Sequence, residues 1–253
     1  MIESIGLNRA WEDFENNLKN AIELDYSVIS DSKIKINSSK LGGKPDLPKG
    51  TEWPRFRKFP QSFIAQINFE DLVGHDYLDI LPKSGLLSFF FDSTQLDEYG
   101  LGYKVIFTEN FENMIRLDPP EIPDLDGKEE INTLIFNSAK INFFNFCSYP
   151  YYLDFIFDEL SKKYNFSEEE FDNYLEELNF DQEHYMLGYP YLIQNDYMSS
   201  ERKQEKWHLL LQVLTDKKLN MFWGDGGALY FWIKESDLKS RNFDNVVLDF
   251  QYF

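Results

Sequence analysis

Apolar residues along the chain follow two spacings, one typical of helices and one typical of strands. After Asn8 they recur every three or four positions from Trp11 to Ile22, which predicts a helix over residues 8–23. Elsewhere, short apolar runs are bounded by Gly, Pro, Asn or Asp, a pattern that predicts strands. These runs span residues 62–68, 85–91, 103–108, 113–117, 139–146, 207–214, 227–233 and 246–252.

The middle of the chain is predicted to be helical. Residues 150–163 and 167–179 place apolar side chains on one face, and in the second stretch Ser167 and Glu170 form a capping box. The other face of that helix is acidic, with Glu168, Glu169, Asp172, Glu176 and Glu177. Residues 118–127, rich in Pro and Asp, predict an exposed loop. Strands towards both ends and helices in front and in the middle indicate an α+β fold that is mostly β.

Two parts of the chain share an ordered pattern of turn, strand and aromatic strand. The first has Gly43-x-Pro45-x-Leu47, then Gln66 within a strand, then the strand led by Gly85. The second has Gly188-x-Pro190-x-Leu192, then Gln212, then the strand led by Gly227. We therefore predict one domain over residues 1–253, with an internal pseudo-repeat at about 41–117 and 186–252. A mainly helical segment, 147–180, joins the copies, and we expect them to pack about a pseudo-twofold axis into one core.

The chain is strongly acidic, with 44 Asp and Glu against 25 Lys and Arg and a net charge of −19. That balance argues against binding to nucleic acid or to anionic membranes, which both reward basic residues. It favours solubility and would steer a basic protein towards the surface. The first residues contain acidic side chains and lack an apolar core, and no run of apolar residues is long enough to span a membrane. We expect a cytoplasmic protein.

The only cysteine, Cys147, lies in the apolar run 141–147, so no disulfide can form within the chain. Because this run offers no basic neighbour that would stabilise a thiolate, we expect Cys147 to be buried and inert.

Several short motifs resemble one known group of proteins. They are Leu41-Gly-Gly-Lys-Pro-Asp-Leu-Pro, Trp53-Pro54, Phe63-Ile-Ala-Gln-Ile, Leu81-Pro-Lys-Ser-Gly-Leu-Leu-Ser-Phe-Phe, His184-Tyr-Met-Leu-Gly-Tyr-Pro, Trp207-His-Leu-Leu-Leu-Gln and Phe222-Trp-Gly-Asp-Gly-Gly. Together, from about residue 40 to the C-terminus, they resemble the YwqG-like family of bacterial proteins. The resemblance implies a mostly β, roll-like fold with flanking helices. The family is a domain of unknown function, so it implies no catalytic residue and no cofactor.

Motifs that would indicate catalysis are missing from the sequence. There is no nucleophile elbow, phosphate-binding loop or dinucleotide fingerprint, and we expect no cofactor. His75, His184 and His208 are far apart and lack metal-ligand spacing, so we expect no metal site.

The most suggestive segment is Phe222-Trp-Gly-Asp-Gly-Gly227. Its glycines would allow close approach of a ligand, and Trp223 beside Asp225 is typical of a site for a sugar or another polar group. The tryptophan would also raise the pKa of Asp225 and suit it to acid–base work. Turn chemistry explains the same residues, with Trp223 filling the core. For the buried Gln212, a structural hydrogen bond to a neighbouring loop competes with a ligand role, and Trp207 would form a wall of such a site.

Two hypotheses therefore follow from the sequence. The first, which we favour, is a non-catalytic protein that binds a basic macromolecule through an acidic surface, as an immunity protein neutralises a basic toxin. The second is an enzyme or small-ligand binder centred on residues 223–226, with Gln212 and Trp207 as neighbours. The sequence leaves the oligomeric state open.

Overall fold

The computed structural model describes residues 11–75, 79–93, 102–121, 134–148, 161–165, 167, 184–195 and 197–253. Strands dominate this part of the chain. They are β1 (Lys19–Val28), β2 (Lys40–Leu41), β3 (Asp46–Pro48), β4 (Arg55–Phe56), β5 (Phe59–Pro60), β6 (Ser62–Asn68), β7 (Leu86–Phe91), β8 (Tyr103–Thr108), β9 (Met114–Arg116), β10 (Ala139–Ser148), β11 (Tyr185–Leu187), β12 (Trp207–Leu214), β13 (Ala228–Lys234) and β14 (Val247–Gln251). Short helices are α1 (Trp11–Asn16), α2 (Ser199–Gln204) and α3 (Glu235–Lys239). The α+β, mostly β prediction is confirmed.

Ten strands form one sheet in the order β14-β13-β12-β11-β1-β10-β2-β6-β7-β8. Every pair of neighbours in it is antiparallel. At its centre β1 and β10 form a ladder in which Lys19 faces Ser148 and Val28 faces Ala139. The remaining strands form two ribbons, β3 with β9 and β4 with β5.

The sheet curls until its two outer strands approach each other. Tyr103 of β8 donates its hydroxyl proton to the carbonyl of Val246, just before β14, at 3.1 Å. The ring of Phe107 lies 4.8 Å from that of Phe243, in the 3₁₀ turn that precedes β14. The concave side of the sheet therefore encloses the main core, to which nearly every long strand contributes.

Both faces of the best-buried strands are covered, which explains their unbroken apolar runs. In β6 and β7 no residue is exposed, and in β12 and β13 only the ends are partly exposed. One face packs into the main core. The other packs into one of two smaller clusters, around Leu47, Trp53, Phe63 and Phe90 for β6 and β7, and around Tyr185, Leu209, Tyr230 and Trp232 for β12 and β13.

Corresponding strands meet in the same way at the two ends of the sheet. β6 bulges between Phe63 and Ala65 against β7, and β12 bulges between Leu209 and Leu211 against β13. Each bulge lies just before the glutamine of the pattern noted in the sequence. Duplication of the unit stays a prediction, but the order of strands and the bulges are those that two related halves would have.

The two glutamines have matching partners. Gln66 Oε1 accepts a hydrogen bond from the amide of Asp46 at 2.9 Å, and Gln212 Oε1 accepts one from the amide of Tyr191 at 2.8 Å. Asp46 and Tyr191 each follow the proline of their Gly-x-Pro turn. Both glutamine side chains are fully buried, so each secures a turn to a strand within the protein interior.

Each strand predicted from the sequence has a counterpart in the structure at nearly the same residues. The predicted N-terminal helix, residues 8–23, is wrong in its second half. Helix α1 ends at Asn16, and β1 begins at Lys19. Ile22 continues the helical spacing, but pairing of β1 with both β10 and β11 overrides local propensity there.

Cys147 is exposed, which corrects the prediction of a buried thiol. It faces Asn20 in the β1–β10 ladder, with its Sγ atom 3.8 Å from the Asn20 side-chain oxygen. Since β10 alternates buried and exposed residues towards its start and is largely open towards its end, an apolar run did not mean burial there.

The helices predicted at 150–163 and 167–179 lie mostly outside the described residues. Within them, residues 161–164 are helical. Of the predicted loop at 118–127, residues 118–121 are described and have no regular structure.

We expect Gln212→Leu to destabilise the protein by about 1–3 kcal/mol, because it leaves the Tyr191 amide without its acceptor in the interior. Urea unfolding measures the change. Gln204→Leu, at an exposed position of α2, is the matched control and should change stability by less than about 0.5 kcal/mol. If Gln212→Leu were as stable as wild type, its structural role would be wrong and a ligand role for Gln212 would be favoured.

Candidate functional site

The loop Phe222–Gly227 separates its tryptophan from its carboxylate. The side chain of Trp223 is fully buried, and its ring contacts those of Phe91 and Phe136 at centroid distances of 5.9 and 5.5 Å. Among the residues that the structure describes, its indole N–H has no hydrogen-bond partner. Asp225, in contrast, is exposed. Trp223 therefore fills the main core, as the turn interpretation of this segment expects.

The glycines of this loop are explained by the chain's own packing. A Cβ atom on Gly227 would lie 2.3 Å from the carbonyl oxygen of Trp223 and 2.4 Å from that of Gln251. Gly224 has a φ of 56°, and a Cβ there would lie 2.9 Å from Tyr252. The carbonyl of Asp225 accepts a hydrogen bond from the Phe253 amide at 3.1 Å. The loop thus closes against the C-terminal residues.

The other two candidate residues lie elsewhere. Gln212 is buried against Tyr191, as described above. Trp207 is partly buried and packs against the smaller cluster around Tyr230, whereas Trp223 belongs to the main core. The structure does not gather the four residues around one cavity, and a ligand role for them stays a prediction.

A buried network of charges, which sequence analysis missed, lies at the turn before β3. Asp46 has no exposure, and Arg116 of β9 donates to it through Nε at 2.9 Å and Nη2 at 3.3 Å. The Asn37 amide and Gln66 Nε2 donate to the same carboxylate at 3.0 and 2.8 Å. With Lys40 Nζ at 3.8 Å, the charge of Asp46 is fully compensated.

Lys40 is also fully buried, which is rare for a lysine. Burial lowers the pKa of its ammonium group, although Asp46 and Asp31 act in the opposite direction. The ammonium group donates to Asp31 Oδ1 at 3.0 Å and to the carbonyl of Lys44. Because these contacts and Asp46 occupy the amine, we assign Lys40 to the stability of the turn.

A second polar network joins the ends of three strands in the other half. His184 Nδ1 accepts a hydrogen bond from the Leu214 amide at 3.1 Å. The ring proton is therefore on Nε2, because Nδ1 acts as an acceptor. Nε2 faces Asp216 Oδ2 at 3.3 Å. The Tyr26 hydroxyl donates to the same oxygen. Asp216 Oδ1 accepts the amides of Lys218 and Leu219 at 2.7 and 3.2 Å. Both ring nitrogens of His184 are engaged in these contacts, which suits a structural role for this residue.

Position 184 matches position 39 of the other half, where Ser39 makes the corresponding contacts. Ser39 Oγ accepts the Asn68 amide at 2.9 Å and donates to Asp71 Oδ2 at 2.8 Å. In each half, one side chain thus links the amide at the end of a strand to a carboxylate. That side chain is a serine in one half and a histidine in the other. This correspondence favours a structural role for His184 and Asp216.

His208 bonds Glu235 at the start of α3, with Nε2 2.9 Å from Oε2. Burial lowers the pKa of His208, against the effect of Glu235. The Glu235 carboxylate also forms ion pairs with Lys206 at 2.6 Å and with Lys239 at 2.5 Å.

No group of three His, Cys, Asp or Glu residues within the described residues has the geometry of a metal site.

A family model described as Domain of unknown function (DUF1963) matches residues 39–251. The chain belongs to the DUF1963 family. The match begins just before β2 and ends with β14, so it leaves out β1 and, with it, Tyr26 of the second polar network, as well as Asp31 and Asn37 of the first. No curated protein matches the chain significantly. In the described part of this DUF1963 protein, no helix has the length and hydrophobicity needed to cross a membrane.

The missed network could not be found by motif. Asp46 lies in the motif that begins at Leu41, and Lys40 directly precedes that motif. Arg116 contacts Asp46 only because β9 pairs with β3. A long-range strand pairing of this kind leaves no local signal.

We expect the Asp216 carboxylate of the DUF1963 protein to make stability depend on pH. Burial raises its pKa, but the hydrogen bonds from His184, Tyr26 and Leu219 prevail and hold the pKa well below the usual 3.8. A folded-state pKa below the unfolded one adds stability that is complete above the unfolded pKa and is lost as pH falls towards the folded pKa. Asp216→Asn should therefore cost about 2 kcal/mol near pH 6, and less as the pH falls below about 4.

Urea unfolding at about pH 6, 4 and 3 measures this difference. Asp225→Asn, at an exposed carboxylate, is the control and should follow wild type at every pH. A cost of Asp216→Asn that stays constant over this range would contradict the assignment.

Proposed function

We propose that this DUF1963 protein is a non-catalytic binding protein that captures a basic protein through an acidic segment, residues 118–183. The observation that carries the proposal is the uneven distribution of charge along the chain. Residues 118–183 contain 17 of the 44 acidic residues but only 4 of the 25 basic ones. This segment alone thus accounts for 13 of the 19 net negative charges.

Outside that segment, acidic and basic residues are more nearly balanced, with 27 of the former and 21 of the latter. In the described part of the chain, ion pairs join lysine or arginine to surface carboxylates across the fold. They are Lys83–Asp79, Lys104–Asp244, Lys206–Glu235, Lys234–Glu205 and Arg241–Glu109. Such exposed pairs contribute little to stability. In each pair the two opposite charges cancel at a distance, so the acidic segment dominates the long-range attraction of a basic partner.

The positions of the buried polar groups also support binding over catalysis. Lys40, Asp46, His184 and Asp216 all bond to backbone or neighbouring side chains within the protein. A concentrated negative charge would speed association with a basic protein and make the rate sensitive to salt. Neutralisation of a basic toxin, as by an immunity protein, is one activity of this kind. We also propose, from the motifs quoted above, that this DUF1963 protein is YwqG-like.

A two-stage experiment tests the proposal. Tagged protein is first incubated with host lysate, washed at about 50 mM and about 500 mM salt, and the captured proteins are identified by mass spectrometry. The purified partner is then mixed with wild type and variants in a stopped-flow instrument. We expect one stoichiometric, basic partner, and we expect Glu168→Gln, Glu169→Gln and Glu176→Gln together to slow association about tenfold at low salt.

The matched control removes three charges elsewhere, with Glu15→Gln, Glu52→Gln and Glu112→Gln at exposed positions. It should change the association rate by less than about twofold. Asp225→Asn should have no effect on capture. No captured protein at low salt, or equal slowing by the control triple variant, would rule out the acidic segment as the binding surface.

A further inference from the structure

A cavity of about 150 Å³ lies in the connection between β6 and β7, where the main core reaches the surface. Its inner wall consists of four buried residues, Phe69, Leu72, Leu81 and Pro82. The first three belong to the main core. We call this space the Leu81 cavity. An apolar cavity of about this volume holds one benzene molecule, so one aromatic or branched aliphatic side chain fits inside.

The Leu81 cavity is open to solvent. Val73, Gly74 and Lys83 complete its lining, and the side chain of Val73 is 70% exposed. Among the described residues, a Cβ atom on Gly74 would meet nothing within 4 Å. Lys83 forms an ion pair with Asp79 at the surface. A side chain from another molecule can therefore enter without any part of the core having to unfold.

Comparison of the two halves of the sheet explains why there is space here. The first residue after β6 donates its amide to the carbonyl of Gly85 at 3.0 Å, and the first residue after β12 donates to that of Gly227 at 2.8 Å. These matching bonds align the two connections. Four residues before each glycine stand Leu81 and Trp223, which are both buried in the main core. The first half thus has a leucine where the second half has the larger tryptophan, and the cavity lies beside the leucine.

The inner wall is fixed by its own packing. The ring of Phe69 lies 6.2 Å from that of Phe107 in β8 and 6.1 Å from that of Phe243 in the 3₁₀ turn before β14. Such aromatic pairs add to the stability that burial gives. Because the wall is already ordered, an entering side chain does not have to order it, which favours binding.

The chain around the opening is acidic. Residues 70–79 contain four acidic residues and no lysine or arginine. Glu70 and Asp71 are exposed and belong to the same 3₁₀ turn as the inner wall. Within the described residues, neither carboxylate forms an ion pair, although Asp71 accepts a hydrogen bond from the Ser39 hydroxyl at 2.8 Å. An apolar cavity in an acidic surface is complementary to an apolar side chain with basic neighbours.

The opening also adjoins the acidic segment, residues 118–183. His75 directly follows Gly74 of the lining, and its Nδ1 atom lies 3.1 Å from Oδ1 of Asn145. The ring of His75 lies 6.2 Å from that of Phe143. Asn145 and Phe143 are residues of β10, which belongs to the acidic segment. A protein attracted by this segment therefore arrives next to the cavity.

We propose that the Leu81 cavity binds one apolar side chain, a phenylalanine or a leucine, that a basic protein presents among lysines and arginines. This contact, which rests on the proposed function, keeps the partner bound after the acidic segment has attracted it. Attraction between opposite charges speeds the encounter, whereas burial of an apolar side chain slows dissociation. A second copy of this chain suits the cavity less well, because a net charge of −19 on each copy makes the two repel.

Titration calorimetry at about 50 mM salt, with three synthetic pentapeptides, tests the cavity directly. The first has phenylalanine between two pairs of lysines, the second has serine in the central place, and the third has phenylalanine between two pairs of serines. We expect the first to bind most tightly and each of the others about tenfold more weakly, because one loses the buried ring and the other loses the charges.

Leu81→Trp introduces the residue that the other half of the sheet has at this position and should fill the cavity. We expect it to weaken binding of the first peptide at least tenfold and to leave binding of the serine-centred peptide unchanged. The matched control is Val28→Trp, which adds an indole at an exposed position at the end of β1 and should leave all binding unchanged.

Val73→Ser gives a second test should Leu81→Trp fail to fold. Since Val73 is exposed, this variant should fold normally, and loss of its methyl groups should weaken binding of the first peptide about threefold. The proposal is overturned if no peptide binds saturably up to about 10 mM, if the two lysine peptides bind equally well, or if Leu81→Trp binds the first peptide as tightly as wild type.

The partner captured from lysate separates this proposal from the proposed function. If that partner binds Leu81→Trp as tightly as it binds wild type, the role of the cavity is wrong and the proposed function stands. If no partner is captured but the peptides bind as expected, the proposed function is wrong and the cavity remains a site for a basic peptide with an apolar side chain.

Discussion

A carboxylate with no access to water organises the N-terminal half of the sheet. Asp46 receives hydrogen bonds from the Asn37 amide, from Gln66 in β6 and from Arg116 in β9, with Lys40 of β2 close by. Loss of one partner would leave a buried charge uncompensated, which costs far more than an exposed ion pair contributes. The loop before β2, the turn before β3 and two separate strands are therefore held in one arrangement. The covering ribbon β3–β9 is tied to the main sheet through this group.

In the other half of the sheet, neutral tyrosines take the places of the charged residues. At the place of Lys40 stands Tyr185, whose hydroxyl donates to the carbonyl of Tyr189 as Lys40 donates to that of Lys44. At the place of Asp46 stands Tyr191, whose carbonyl accepts the hydroxyl of Tyr230. Burial raises the pKa of Tyr185 and Tyr230 well above that of free tyrosine, so both stay neutral. Matching backbone positions thus carry an ionic network on one side and a tyrosine network on the other.

The sequence predicted strands far better than it predicted contacts. β12 and β13 were recognisable because they are buried on both faces and read as unbroken apolar runs. The helix predicted over 8–23 was wrong at Ile22, where apolar spacing fits a helix but pairing on both sides imposes a strand. Trp223 and Asp225 are neighbours in sequence and yet one lies in the core and the other in water. The network of Asp46 depends on Arg116, a partner seventy residues away, and no local pattern indicates such a pairing.

The central ladder of the sheet also has a consequence for how the protein folds. Within each half, most neighbouring strands are close in sequence and can pair early, after closing short loops. β1, residues 19–28, pairs with β10, residues 139–148, and with β11, and β10 pairs with β2, so in the described part of the chain these ladders of β1 and β10 connect the two halves of the sheet. Contacts so distant along the chain are slow to form. The halves should therefore acquire structure first and dock late, and until then the unpaired edges of β2 and β11 are open to pairing with another molecule.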